Sequence, residues 1–184
     1  MPWLLIGVLV VGGLLMASVT QEHGEQLFRP VRGRISSPFG YRTDPVTKEK
    51  GTFHTGLDIS APKGELVSTP ESGKVVRIDH DGQGKGVING NAVHIRADSG
   101  RLWSMLHLSR IDVRLGQRVL TGQLIGRVGS TGKSTGPHLH LSLREQGRYV
   151  DPLRYFRAFY PKVSGYPPFA PDFHLYAHVG AWSD

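Results

Sequence analysis

Gly129-Ser130-Thr131-Gly132-Lys133-Ser134-Thr135-Gly136-Pro137-His138-Leu139-His140 joins a glycine-rich turn to two imidazoles one residue apart. Side chains of an extended chain alternate with a period of two, so a strand running on from Pro137 carries His138 and His140 on one face. Two imidazoles side by side on a rigid element suit a metal site or an acid/base site. The pair alone does not choose between them, nor against a surface or core placement. Any further ligands must come from other segments.

Outward from this stretch the chain alternates short apolar runs with turns. Thr55 to Ser60, Gly73 to Asp79, Ala92 to Arg96, Leu102 to Leu108, Gln123 to Val128 and Leu139 to Arg144 read as strands. Between them lie Ala61-Pro62-Lys63-Gly64, Asp81 to Gly86, Asp98-Ser99-Gly100, a turn at Gly116 and Glu145-Gln146-Gly147. Asp151 to Phe156 fits one helical turn. Short strands with Gly-rich turns at this spacing predict a mainly β protein built on an antiparallel sheet, barrel or sandwich.

At 184 residues the chain fits one domain with short extensions. A net charge of +7 and a pI near 9.9 predict an anionic partner. The basic residues are scattered rather than gathered in an arm, which argues against nucleic acid. There is no cysteine, so disulfides and thiolate-held zinc are excluded. Any metal must be held by His, Asp or Glu.

Trp3 to Val19 carries no charge, and a membrane-spanning helix needs about 17–25 such residues. Residues 1–20 are therefore expected to form a hydrophobic membrane helix acting as an anchor, with a cleaved signal sequence as the rival and a core segment as the third reading. Gly7, Gly12 and Gly13 make the span weakly hydrophobic. Arg29, Arg32 and Arg34 follow it with nothing basic before it, the reverse of the charge bias expected for an exported domain. Residues 21–33 read as a linker, 34–157 as the folded domain and 158–184 as a Pro- and aromatic-rich extension. His174 and His178 in that extension are read as packing of the tail.

Two further segments bear on the His pair. His54 and Asp58 in His54-Thr55-Gly56-Leu57-Asp58 share a face whether the segment is strand or helix. Imidazole nitrogen and carboxylate oxygen are ordinary zinc ligands. His107 lies in the apolar run Trp103 to Ser109, where a lone histidine is commonly a core residue. Together, His54, Asp58 and one of His138 and His140 offer three N/O ligands. Such a set leaves a fourth position for water, the form of a catalytic rather than a structural site. His107 and the other member of the pair then suit acid/base roles. Spacing does not say which of His138 and His140 would hold the metal.

Ser37-Pro38-Phe39-Gly40-Tyr41-Arg42, His54 to Asp58, His107-Leu108-Ser109, Gly129 to Gly132, Ser134 to His140 and Asp151-Pro152-Leu153 occur in one order over about Gly33 to Phe156. In this the chain resembles the lysostaphin/LytM-type zinc metallopeptidases of the M23 peptidase family. The resemblance implies an antiparallel LytM-type fold, like a duplicated hybrid motif, and one zinc ion per chain. It implies His54, Asp58 and His140 as metal ligands and His107 and His138 as catalytic residues. It further implies endopeptidase action on the peptide cross-links of bacterial peptidoglycan. Two positions depart from the family's pattern: Met105 stands where a Tyr is frequent, and Leu141-Ser142 where Phe-Glu is frequent. Neither is a ligand, so altered rate or substrate preference is expected rather than loss of activity.

A non-catalytic LytM-type binding or regulatory module is the alternative, although such members typically lack ligands. The glycine-rich run lacks the Gly-x-x-x-x-Gly-Lys-[Ser/Thr] spacing of a phosphate loop. The anchor places the expected site of action in the periplasm or cell envelope, attached to the membrane. A virion-associated lysin in a phage particle or its membrane, with virion proteins as partners, is the second setting.

Overall fold

Alternation decides which side of each strand meets the core. The computed structural model describes residues 27–156 and 159, and the backbone of 6–11 and 14–19. Ile6–Val11 (β1) and Leu14–Val19 (β2) form a two-stranded pair. The domain strands follow: Arg34–Ser37 (β3), Gly40–Arg42 (β4), Thr52–His54 (β5), Leu57–Ser60 (β6), Leu66–Ser68 (β7), Gly73–Asp79 (β8), Asn91–Ala97 (β9), Leu102–Ile111 (β10), Arg118–Val119 (β11), Leu124–Val128 (β12), His138–Glu145 (β13) and Arg148–Val150 (β14). Two single-turn helices, Gly86–Asn89 (α1) and Leu153–Phe156 (α2), complete the described elements.

The main sheet has ten strands, with the path β11-β8-β9-β10-β13-β6-β3; β12 joins β10 to β7, and β14 pairs with β13. Every described pairing is antiparallel. The mainly β antiparallel fold expected from the sequence is therefore present. β4 and β5 form a separate hairpin.

Across the four central strands the core side is odd-numbered. Leu57 and Ile59, Val93 and Ile95, Trp103 and Met105, and Leu139, Leu141 and Leu143 are all fully buried. Each such side chain removed from water contributes about 1.5–3 kcal/mol. The even-numbered residues, Asp58, His94, Ser104, Leu106, His140 and Ser142 among them, line the other face. Met105 thus belongs to the core rather than to that open face.

The N-terminal membrane helix expected over residues 1–20 is not found. β1 and β2 pair in register from Ile6↔Val19 to Val11↔Leu14. Among the described residues no helix is long and apolar enough to cross a membrane. The composition explains the difference. Val8, Val10 and Val11 favour extended backbone, each helical glycine costs about 1 kcal/mol relative to alanine, and Gly12-Gly13 is a preferred hairpin dipeptide. The expected C-terminal extension with its His174 and His178 lies, Phe159 apart, outside the described residues.

Trp103 anchors the core beside α2. Its ring lies 5.5 Å from Phe156 and 6.4 Å from Tyr155, and its indole N–H donates to buried Glu71 at 2.5 Å. Glu71 also pairs with Arg101. Trp103→Ala leaves both a cavity and a carboxylate without its indole donor. It is expected to cost about 3–5 kcal/mol, read as a lowered midpoint in urea unfolding.

Candidate metal centre and cleft

β6 and β13 pair so that His140 lies opposite Asp58, and β10 brings Leu106 opposite His140. His54 ends β5 and reaches the same point. His140 Nδ1 is 2.8 Å from Asp58 Oδ1, His54 Nε2 is 3.1 Å from that oxygen, and the two nitrogens are 3.1 Å apart. His54, Asp58 and His140 form a cluster able to hold a metal ion, their candidate ligand atoms all within 4.8 Å of one another.

Hydrogen bonds to the backbone set the imidazole tautomers. His54 donates Nδ1–H to the Pro38 carbonyl at 2.7 Å, His107 to that of Thr131 at 2.8 Å and His138 to that of Gly136 at 2.8 Å. Each ring therefore keeps a bare Nε2. That of His138 lies 3.7 Å from Asp58 Oδ1. Around Oδ1 the ring nitrogens of His54 and His140 converge on the carboxylate, an arrangement that a proton or a cation shared among them stabilises. The other carboxylate oxygen, Oδ2, accepts from Arg42 at 3.3 Å, and Arg42 also donates to Ser37 Oγ. Burial alone would raise the Asp58 carboxyl. Hydrogen bonds and charge from His140 and His54 more than offset it and hold the group well below the usual carboxylate range. Burial lowers His140, partly countered by Asp58.

Two close approaches explain glycines of the motifs. A Cβ at Gly56 would lie 2.5 Å from His140 Nε2 and 2.7 Å from the Leu141 carbonyl. Gly56 is the backing against which the His140 ring is set. A Cβ at Gly129 would lie 2.3 Å from the Ser109 nitrogen and 2.6 Å from the His107 carbonyl. The glycine-rich loop packs against β10 there, and this brings Thr131 within reach of His107.

Strict alternation would send His107 into the core with Trp103 and Met105. Instead its φ is +64°, and the register with β9 shifts between Met105 and Leu108. β10 bends and leaves β13 for β12, Leu108 pairing with Val128. Leu108 takes the core position, and His107 turns to the cleft with its ring 4.8 Å from His138 and 5.9 Å from His140. Burial lowers the His107 pKa to about 4, helped by the neighbouring His140 and His138.

All five residues singled out from the sequence, His54, Asp58, His107, His138 and His140, line one cleft of about 260 Å³. The β4–β5 hairpin and its loop make one wall and Lys133 to Thr135 the other, with Ile88 and Asn89 at the rim. Lys133 and Asp44 join the walls by an ion pair of 3.0 Å. Arg42, the three carbonyls that orient the imidazoles and this ion pair were not read from the sequence. Of these only Arg42 had a signal, its place in Ser37 to Arg42.

Peptidase family M23 matches residues 52–152, which include His54, Asp58, His107, His138 and His140 and most of the sheet. The chain belongs to that family. It is 43% identical over 136 residues to the DD-carboxypeptidase/endopeptidase Mpg of Neisseria meningitidis, covering 73% of this chain and 30% of the relative. It is 40% identical over 135 residues to the peptidoglycan DD-endopeptidase ShyA of Vibrio cholerae, covering 73% and 29%. The chain thus spans under a third of the length of these curated relatives. Among solved structures, a zinc containing peptidase from Vibrio cholerae superposes with a TM-score of 0.59 at 35% identity, covering 69% of this chain and 39% of that one.

In the metal-free chain His107 is expected to stay neutral at pH 6 and to protonate near pH 4, followed by its ring NMR signals. The unfolded chain takes up that proton first, near pH 6.5, so the contribution of His107 to stability falls as pH drops from 6.5 towards 4.

Proposed function

We propose that the chain is a zinc-dependent endopeptidase that hydrolyses peptide cross-links of bacterial peptidoglycan. The observation that carries this is the convergence of His54, Asp58 and His140 beside two further imidazoles with bare Nε2 atoms. Family membership and the names of the relatives support the substrate class.

The donor set fits zinc: two imidazole nitrogens and one ionised carboxylate, with no thiolate, opening on a cleft with room for water. His54, Asp58 and His140 are the residues that would hold it. The Nδ1–H of His54 bonded to Pro38 and Asp58 Oδ2 held by Arg42 are the outer contacts that fix such ligands. When bound, the ion supplies Lewis acidity, acidifying water to a pKa of about 7 and polarising a carbonyl.

The protein's own groups supply the proton handling. His138 and His107 have their Nδ1–H committed to carbonyls, so Nε2 of each is the atom that takes a proton from water or returns one to the leaving amine. As the imidazolium formed by that transfer, either ring would stabilise negative charge growing on the attacked carbonyl oxygen. Low basicity keeps His107 neutral and available as an acceptor near neutral pH. The hairpin wall and the Lys133–Thr135 wall confine an extended peptide between them.

The cell envelope is the setting this activity requires. A membrane attachment or a phage particle as the protein's location belongs to the same proposal and is tested by fractionation. The alternative, a non-catalytic module, predicts no clearing of a peptidoglycan zymogram.

The full chain is expected to bind one zinc equivalent and to clear the zymogram. His140→Ala should lose the metal, and Gly56→Ala, whose methyl displaces the His140 ring, should lower zinc affinity about 10–100-fold. His138→Ala and His107→Ala should keep the metal and lose turnover. Retained clearing in Asp58→Ala or His140→Ala, or full metal loss in His138→Ala, contradicts the assignment.

A further inference from the structure

The sheet face that carries the cluster continues beyond the cleft, and its cross-strand ranks change character in order. The first rank holds Asp58, His140 and Leu106. The next holds Ser142, Ser104 and His94, directly opposite one another on β13, β10 and β9. The third holds Arg144, Leu102, Arg96 and Lys74 on β13, β10, β9 and β8. This middle rank, whose Ser142, Ser104 and His94 are all buried, lies between the cleft imidazoles and three cations.

Among the described residues no carboxylate pairs with Arg144, Arg96 or Lys74. Arg96 donates to the Gly100 carbonyl at 3.2 Å, and Arg144 lies 4.2 Å over the Tyr149 ring and donates to its hydroxyl. The nearby acids are spent elsewhere. Asp79 takes a bidentate pair from Arg77 and contacts His94, Asp98 pairs with Arg118, and Glu145 lies with Arg101 and Tyr155. Arg144 has the same parity on β13 as His140 and Ser142, which places it on the same face. Ser142 adds to the imbalance. It stands where the resemblance leads one to expect a glutamate, and its hydroxyl makes no hydrogen bond among the described residues.

We propose that the Arg144–Arg96–Lys74 rank is a subsite for a free carboxylate on an extended peptide arm of the substrate. This rests on the peptidase reading above for the identity of its occupant. Arg144 lies four positions beyond His140 on β13, about 13 Å at about 3.3 Å per residue. A carboxylate some four extended residues from the cleaved bond meets the guanidinium of Arg144 beside Leu102. Guanidinium geometry suits a carboxylate, and three uncompensated cations on one rank would repel an arm ending in an amine. The substrate class thus narrows to cross-linked stem peptides whose carboxylates are free rather than amidated.

The test uses defined cross-linked stem peptides with their carboxylates either free or amidated. Binding is measured by calorimetry on the metal-free chain and hydrolysis on the zinc-loaded chain. The free form is expected to bind about five- to tenfold more tightly, with the difference appearing in KM rather than kcat and shrinking as salt is raised. Arg96→Gln/Arg144→Gln should abolish the preference, bringing the free peptide's Kd and KM to those of the amidated one. Arg96→Lys/Arg144→Lys should retain most of it. Equal binding of the two peptides to the unaltered chain overturns the subsite, as does a preference that survives the double Gln variant with native circular dichroism. Preferential binding of the free form with hydrolysis of neither peptide leaves the subsite standing and sinks the peptidase reading instead.

Discussion

The pairing of β6 with β13 is the constraint on which the site depends. Asp58 and His140 face each other across that pair because Leu57, Ile59, Leu139 and Leu141 occupy the core side of the same two strands. A slip of one residue would drive a carboxylate and an imidazole into the core and expose the leucines. The apolar pattern that folds the sheet is therefore also what aligns the polar cluster. The geometry of the His54–Asp58–His140 cluster is a by-product of register, reinforced by Gly56, which lets the β5–β6 connection approach the His140 ring.

Burying Asp58 amid imidazoles costs solvation that only good partners return. Arg42 holds one oxygen and the histidines crowd the other, so the group stays ionised. The bend in β10 carries a second cost. A non-glycine residue in the left-handed region is strained by about 1–2 kcal/mol, and His107 is held there by the β12 pairing, by the contact at Gly129 and by the Thr131 carbonyl. Strain and buried charge meet within one cleft, the kind of place where a fold departs from local preference for the sake of chemistry.

Much of this was legible in the chain. Gly73 to Asp79 reads as a strand by alternation and is one, and the parity of His138 and His140 follows from Leu139, Leu141 and Leu143 filling the core side. What was not legible is non-local. Period-two reasoning sends His107 to the core, because no residue near it announces a positive φ; the bend comes from β10 changing partners. α1 falls where Asp81 to Gly86 was read as a turn, at its far edge, and four residues leave little periodicity to find. The apolar N-terminal run was misread because length and lack of charge describe a membrane helix and a glycine-parted hairpin alike. Arg42 and Thr131 act through contacts that depend on where other segments end.

The ion pair between Asp44 and Lys133 bears on how a guest gets in. It ties one bank of the cleft to the other, and a rigid tie would turn the trough into a tunnel that only a loose chain end could thread. With the lysine half in solvent, such a pair is worth about 0–1 kcal/mol, so thermal motion opens it readily. The cross-link substrate proposed above, fixed at both ends, would have no tip to thread and would have to be taken broadside. A clasp this weak would not bar that entry.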